Sequence, residues 1–459
     1  MKNLITFLLY CLSVTALLAQ AKSETRLRVL QASDTETTLA LSVSGVDQTP
    51  VSTPRGIAQI VSIQHGTPLL QKGAPDLPKF ATALQIPNHG NMAVEVLAGD
   101  FQEFFNVEIA PSKGNLSRRI DPATVPFEYG RAYAEDRFFP DALAGLQTPF
   151  VFREFRGQAL WLYPVQYNPV KKILRVYHSL QIRVYAAGGT GENEWAGGPM
   201  QTESRAFEQL YRQYFVNAGH RIQRRSGGVT PDKMLVLAAD NLLGELAPLV
   251  EWKRQIGIHT TVVPLSEVGS SESSVIYNFV KNYYEQHGIT YLLLVGDEHA
   301  IEPEMRQDGD FYACDNCFGY FSGDDHLPEV LVGRLHASTP EELRIMVNRN
   351  LEYEKYPLID TAQNWFATGL ATASNEGAGF GDDGQADWQH GNEWKAAHLS
   401  DGFEKYWEFY DGSHGNESPT PGSETADQAG NPTNGPIVDL LNTRGASLFN
   451  YTGHGWLQG

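Results

Sequence analysis

At Asp232 the sequence changes its period, and that change limits the possible fold more than any other feature. Beyond it, short apolar runs alternate with amphipathic stretches at helical spacing. Residues 234–239 read as a buried strand, 242–256 as a helical stretch that Pro248 kinks or restarts, and 259–264 as the next strand after Gly257. Residues 271–287 predict a second helix, with Val275, Ile276, Phe279, Val280 and Tyr283 on one stripe and Gly288 just past its end. Residues 291–295 and 330–335 read as further buried strands. Thr339-Pro340-Glu341-Glu342 opens a helix: the threonine caps it, the proline takes the first helical position, and Glu342 closes a capping box. Strands at 365–373, 405–409 and 447–451 follow. This alternation implies an open, mainly parallel sheet with helices on both faces, because each parallel connection must cross over the sheet.

Ahead of Asp232 the pattern is different. Residues 25–187 carry short alternating or apolar stretches, such as 160–165 and 173–184, broken by Gly, Pro and Asn clusters, and read as an all-β domain. Residues 203–217 then predict an amphipathic helix with Phe207, Leu210, Tyr211 and Tyr214 at helical spacing. Between the two regions runs Arg221-Ile222-Gln223-Arg224-Arg225-Ser226-Gly227-Gly228, the kind of exposed backbone that proteases nick. It reads either as a solvated basic linker or as a maturation site at Arg224 and Arg225, and its place before a new domain favours cleavage. At the N-terminus, Lys2, an apolar run over 4–19 and Ala19-Gln20-Ala21 fit a secretory signal peptide cut after Ala21. The run is short of the roughly 20 residues that span a bilayer, and no later stretch is long enough. The expectation is an exported chain with no transmembrane anchor once mature.

With 54 acidic against 35 basic residues, the net charge of -19 repels phosphate backbones and anionic membrane surfaces, so nucleic acid is not an expected partner. Of three cysteines, Cys11 leaves with the signal peptide. Cys314 and Cys317 remain in Ala313-Cys314-Asp315-Asn316-Cys317-Phe318, a pairing that an exported chain uses as a local disulfide. Zinc would need two further ligands; His299, His326 and His336 are near in sequence but show no ordered spacing. Asp308-Gly309-Asp310 and Gly323-Asp324-Asp325 are loop carboxylates of the kind calcium uses, though they are not EF-hand loops and read more simply as solvated turns.

In open α/β sheets functional groups gather past the carboxyl ends of the strands. Strand 447–451 runs into Thr452-Gly453-His454-Gly455, an imidazole between glycines where a substrate backbone can approach. Read alone, His454 is either a proton-transfer group or an ordinary polar loop residue. Strand 365–373 runs into a glycine-rich segment bearing Glu376, Asp382, Asp383, Asp387 and His390. Its carboxylates could orient His454, bind a cation, or simply be solvated. Residues 411–436, rich in Gly, Pro, Ser, Thr and Asn, predict a long surface loop.

Asn450-Tyr451-Thr452-Gly453-His454-Gly455, the run from Glu376 to His390, and Tyr291-Leu292-Leu293-Leu294-Val295-Gly296-Asp297 together resemble the gingipain family of cysteine peptidases, relatives of caspases and legumains. The resemblance spans about residues 232–459. The region before it, with Gly73-Ala74-Pro75-Asp76-Leu77-Pro78, is similar to that family's β-rich pro-domain. The resemblance implies a caspase-like α/β catalytic domain with a mainly parallel sheet, preceded by an all-β pro-domain. The implied plan is signal peptide 1–21, pro-domain 22–220, basic processing linker 221–231 and peptidase domain 232–459.

The same resemblance implies a cysteine–histidine dyad in which His454 manages protons for a thiolate, the N–H of Gly455 stabilises the oxyanion, and Glu376 orients His454. Asp387 matches the substrate-pocket carboxylate of arginine-specific members, which implies cleavage after Arg, or Lys. Arg224 and Arg225 suit that preference, although a trypsin-like host enzyme would also cut there. The family's nucleophile lies some tens of residues beyond the histidine, and neither Cys314 nor Cys317 matches its position. These 459 residues are therefore expected to lack the nucleophile, to be inactive by themselves and to be the front of a longer product. The implied chemistry requires no cofactor, and calcium is structural in the family. The expected role is a secreted or cell-surface zymogen acting on protein or peptide substrates. The competing reading is a non-catalytic exported binding or adhesion protein on a decayed peptidase fold, which needs the scaffold but not His454 and Glu376. A serine hydrolase or zinc peptidase is disfavoured, since neither Gly-x-Ser-x-Gly nor His-Glu-x-x-His occurs.

Overall fold

The structure is a computed structural model that describes residues 25–116, 120, 122–196, 204–221, 231–308, 310–323, 325–357, 364–373, 387–410 and 434–452. Its N-terminal region is built of β1 (Arg26–Ala32), β2 (Glu36–Ser42), β3 (Asp47–Thr53), β4 (Gly56–Ser62), β5 (Thr67–Pro68), β6 (Pro78–Ile86), β7 (Asn91–Phe105), β8 (Ala144–Phe152), β9 (Phe155–Leu162), β10 (Val165–Asn168) and β11 (Ile173–Gly188). The long β11 pairs antiparallel with β7 along one edge, and with β10 and then β2 along the other. A second sheet sets β9 between β6 and β8. Alternation decides which residues meet: Leu174, Val176, Leu180, Ile182 and Val184 of β11 join Leu39 and Leu41 of β2 and Leu84, Leu160 and Leu162 of the second sheet in one buried core. The all-β expectation holds.

Helix α1 (Arg205–Tyr214) begins where the sequence places it, with the Ser204 side chain accepting from the Phe207 N–H. Phe207 and Tyr211 are buried against Phe152 and Phe215, whereas Tyr214 stays largely exposed, so the apolar stripe is narrower than its spacing predicts. The short α2 (Ala218–Arg221) follows. Before it, the buried Asn217 bonds both backbone groups of Gln85, at 2.9 and 3.0 Å, and fastens this connector to the sandwich.

The C-terminal region opens with β12 (Lys233–Ala238), α3 (Ala247–Gln255), β13 (His259–Pro264), α4 (Leu265–Val268), α5 (Ser273–His287) and β14 (Tyr291–Val295). A hairpin, β15 (Glu304–Asp308) with β16 (Asp310–Cys314), precedes β17 (Leu331–Leu335) and α6 (Pro340–Lys355). The strands form a parallel sheet in the order β13-β12-β14-β17. Leu235, Leu237, Leu292 and Leu294 face Ile276, Val280 and Tyr284 of α5. Their neighbours Val236, Ala238 and Val295 face α3 and α6 through Leu249, Val250, Leu343 and Val347. Pro248 acts as a restart: a 3-10 turn over Asp240–Glu245 ends before α3 begins with proline in its first turn. Gly288 ends α5 in the left-handed conformation, at φ 64°, and Thr339 and Glu342 form the reciprocal capping box.

The remaining strands build a second sheet of their own. β18 (Thr368–Ala373), α7 (Asp387–Ser400), β19 (Lys405–Tyr410), α8 (Asn434–Thr443) and β20 (Leu448–Thr452) give a parallel sheet in the order β19-β18-β20. Helix α7 covers Ala371, Ala373, Tyr406 and Tyr410 through Trp388, and α8 covers Leu370 and Phe409 through Leu440. The single open sheet expected from the alternation is thus two sheets among the described residues. Alternation specifies parallel pairing but not which strands pair, so it cannot tell one sheet from two. Two boundaries also move. Trp365–Ala367 is a 3-10 turn entered through Asn364 at φ 46° rather than part of a strand. The loop expected over 411–436 runs into a helix at Asn434, while 411–433 lies outside the described residues.

Candidate active site

The register of the second sheet fixes where its strands stop. Ala373 pairs with Tyr410 on one side and Thr452 on the other, so three parallel strands end level. Neighbouring strands lie about 4.8 Å apart, so Ala373, Tyr410 and Thr452 stand side by side at one edge of the sheet. Glu376 follows Ala373 by three positions, and His454 and Gly455 follow Thr452 by two and three. Glu376, His454 and Gly455 lie outside the described residues, as do Arg224 and Arg225 of the linker and the segment 1–24 with its expected signal peptide.

Asp387 is described, and it is fully buried as the first residue of α7. The amino end of a helix is where the macrodipole favours a carboxylate. The same helix carries a feature that the sequence reading missed. Lys395 of α7 and Glu408 of β19 form an ion pair at 2.7 Å, with 3% and 1% of their side chains exposed. Glu408 stands between Tyr406 and Tyr410 on the face that α7 covers. The only local sign is an acid at an inward position of Lys405-Tyr406-Trp407-Glu408-Phe409-Tyr410. Helix and strand approach closely because Gly391 faces Tyr410; a Cβ there would come within 2.5 Å of the tyrosine oxygen. Burial raises the Tyr406 hydroxyl to about 12, and the Tyr406 hydroxyl, Trp407 Nε1 and His398 Nδ1 are buried without hydrogen-bond partners among the described residues.

The first sheet ends differently. The Asp297 carboxylate, after β14, accepts from the Ser338 hydroxyl at 2.7 Å and from the N–H groups of Ala300 and His299 at 2.8 and 3.1 Å. These bonds, Ser338 first, hold it below the usual carboxylate range. Glu298 meets His336 at 2.6 Å. Both line a cavity of about 750 Å³ with Tyr312, Asp315, His326 and Arg334. Arg334 is committed: it binds both oxygens of Asp315 at 2.6 and 2.7 Å and donates to the carbonyls of Gly296, Asp297 and Ile301. Cys314 and Cys317 also line this cavity and are joined in the expected disulfide, so neither offers a thiolate.

Among the described residues no group of three or more His, Cys, Asp or Glu could hold a metal ion. Of the carboxylates considered for calcium, the side chains of Asp308, Asp310 and Asp324 lie outside the described set. Asp325 accepts from the N–H groups of Val151 and Leu327 at 2.8 and 2.9 Å. No helix among the described residues is long and apolar enough to cross a membrane.

Two family models match the chain, Propeptide_C25 over residues 19–217 and Peptidase family C25 over residues 229–459. Gingipain R2 of Porphyromonas gingivalis is 33% identical over 437 residues, covering 94% of this chain and 55% of the relative. Gingipain R1 of the same organism is 34% identical over 422 residues, covering 89% of this chain and 39% of the relative. The chain thus spans about half the length, or less, of these relatives. Among solved structures, the complex of Porphyromonas gingivalis RgpB pro- and mature domains is 35% identical, with a TM-score of 0.40, over 42% of this chain and 96% of that one. The Arg-specific cysteine proteinase gingipain R is 31% identical, with a TM-score of 0.41, over 51% of this chain and 49% of that one.

Proposed function

This chain belongs to peptidase family C25, with a C25 propeptide ahead of the peptidase region, and from that premise we propose that it acts as the zymogen of a secreted cysteine endopeptidase cutting after Arg or Lys. The observation that carries the reading is the level ending of β18 and β20, with Ala373 beside Thr452. From those two adjacent ends the chain continues within three residues to Glu376 and to His454. In this reading His454 takes the proton from a thiol and returns it to the leaving amine, Glu376 orients the imidazole, and the N–H of Gly455 donates to the oxyanion.

The thiolate comes from outside the described residues, since the disulfide removes Cys314 and Cys317 from that role. Asp387 supplies the counter-charge for a basic side chain before the scissile bond. Its burial suits it, because a carboxylate shielded from water attracts a cation more strongly. The names of the relatives fit a basic preference, since Lys-gingipains of Porphyromonas gingivalis are among them. Cleavage at Arg224 or Arg225 would separate propeptide from peptidase. No step calls on a cofactor, and calcium is assigned only a structural role.

The test is hydrolysis of Arg, Lys and neutral peptide substrates by the natural full-length protein under reducing conditions, beside His454→Ala. Thiol-dependent cleavage after Arg or Lys that drops by at least about a hundredfold in the variant is the expected result. A correctly processed protein that cleaves none of the three substrates would overturn the reading.

A further inference from the structure

The hairpin turn between β8 and β9 consists of Arg153 and Glu154, and Arg153 adopts a left-handed φ of 52°. Turn positions of this kind favour Gly, Asn or Asp, so an arginine there points to a demand on its side chain. The side chain answers it. Arg153 stands at the tip of a hairpin yet is 1% exposed, because its guanidinium leaves the sandwich and enters the peptidase region. Nη1 donates to the carbonyl of Ile289 at 3.0 Å and to that of Glu329 in a short hydrogen bond. Those residues lie just ahead of β14 and β17, so the guanidinium closes the amino-terminal edge of the first parallel sheet, opposite the edge where its strands end.

The surroundings are built for a cation. Glu154 meets Nε at 2.7 Å and itself accepts a short hydrogen bond from Tyr211 of α1. The Phe207 ring from one region lies 4.4 Å from the guanidinium carbon and the Tyr284 ring from the other lies 5.4 Å away. Two further threads cross beside it. The Asp325 carboxylate accepts the Val151 N–H, and Leu327 and Leu331 pack against the cluster around Phe152.

We propose that Arg153 is the anchor that keeps the propeptide on the peptidase domain once the linker at 221–231 has been cut. The proposal rests on the reading of these two regions as propeptide and peptidase. The contacts described for Arg153 lie at the amino-terminal edge of the first sheet, so retention is read apart from the strand ends of the second sheet and from Asp387. Removing the guanidinium takes this donor from the carbonyls of Ile289 and Glu329 in the docked state, which is the costly way to break an interface.

The experiment uses the full chain with residues 223–226 replaced by the recognition sequence of a site-specific protease. After cutting, the two pieces are followed by gel filtration and by their dissociation rate. The parent pieces co-elute. Arg153→Asn, which suits the left-handed turn and so preserves the hairpin, weakens the pair at least about thirtyfold, chiefly through faster dissociation. Tyr284→Leu leaves the hairpin untouched but also takes a ring from the core beneath the first sheet, so the melting temperature of the separated peptidase piece is read beside it, and it weakens the pair about three- to tenfold. An unchanged melting temperature of the separated propeptide shows that Arg153→Asn acts on docking. The proposal is overturned if neither variant changes the affinity by more than twofold. Association is read rather than proteolysis, so an inactive peptidase leaves the anchor standing, and a failed anchor leaves the peptidase reading standing.

Discussion

The two parallel sheets of the C-terminal region are built by the same rule and filled by different ones. Each carries helices on both faces and alternates its side chains between them. In the first sheet the packed clusters on both faces are apolar, and the charged groups Asp297, Arg334 and Glu329 lie at or near the strand ends, where they find backbone partners. In the second sheet charge goes inside: Lys395 and Glu408 meet in the layer between α7 and β19. Buried pairs of this kind seldom add stability over well-packed apolar residues, because both ions must be taken out of water. The difference separates a sheet packed through apolar layers from one that holds an ion pair in its layer.

The most severe way to break that contrast is Lys395→Met. It leaves Glu408 charged and buried, and should cost about 3–5 kcal/mol in urea unfolding followed by tryptophan fluorescence. Lys395→Met combined with Glu408→Leu should restore most of the loss. A single variant costing under about 1 kcal/mol would mean that the pair is not isolated from water.

A smaller effect lies at the rim of the first sheet. The Glu329 carboxyl is raised to about 7 by burial, which outweighs the two N–H donors, Phe321 and Ser322, that favour its charged form. The folded state therefore holds this proton more tightly than the unfolded chain, where the value is 4.5. The stabilisation is complete below about 4.5 and is lost as pH rises through about 7. Over that window the unfolding free energy should fall by about 3 kcal/mol, and Glu329→Gln should flatten the slope. The smallest change is Thr339→Ala. It removes one half of the capping box on α6 and should cost about 1 kcal/mol, measured as a shift in thermal midpoint.

The sequence discloses what is decided locally. The cap at Thr339, the stop at Gly288, the restart at Pro248 and the Cys314–Cys317 bridge each depend on residues within one turn of one another, and each stands where its pattern puts it. The strands ahead of Glu376 and His454 were legible for the same reason, and their adjacency is what only the register supplies. What could not be read depends on partners distant in the chain. Arg153 looks like a solvated turn residue until Ile289, 136 positions later, is folded against it. Glu408 falls at an inward position of its strand, but nothing near it in sequence shows that α7 carries a lysine to meet it. Charges have no period, so burial of a charge is written in tertiary structure alone.

The disulfide also bears on how a thiol enzyme would be assayed. Cys314 and Cys317 are three positions apart, so the bridge closes a very small ring. Such a ring restrains little of the unfolded chain, and its loss changes the free energy by about 2 kcal/mol on a chain-entropy estimate. The β15–β16 ladder and the forked Arg334–Asp315 bond hold the same loop without it. A reductant strong enough to keep a nucleophilic sulfur in its thiol form therefore opens this bridge while leaving the surrounding architecture in place. Any gain of turnover on adding reductant then reports on the reacting sulfur, and not on a loosening of the scaffold.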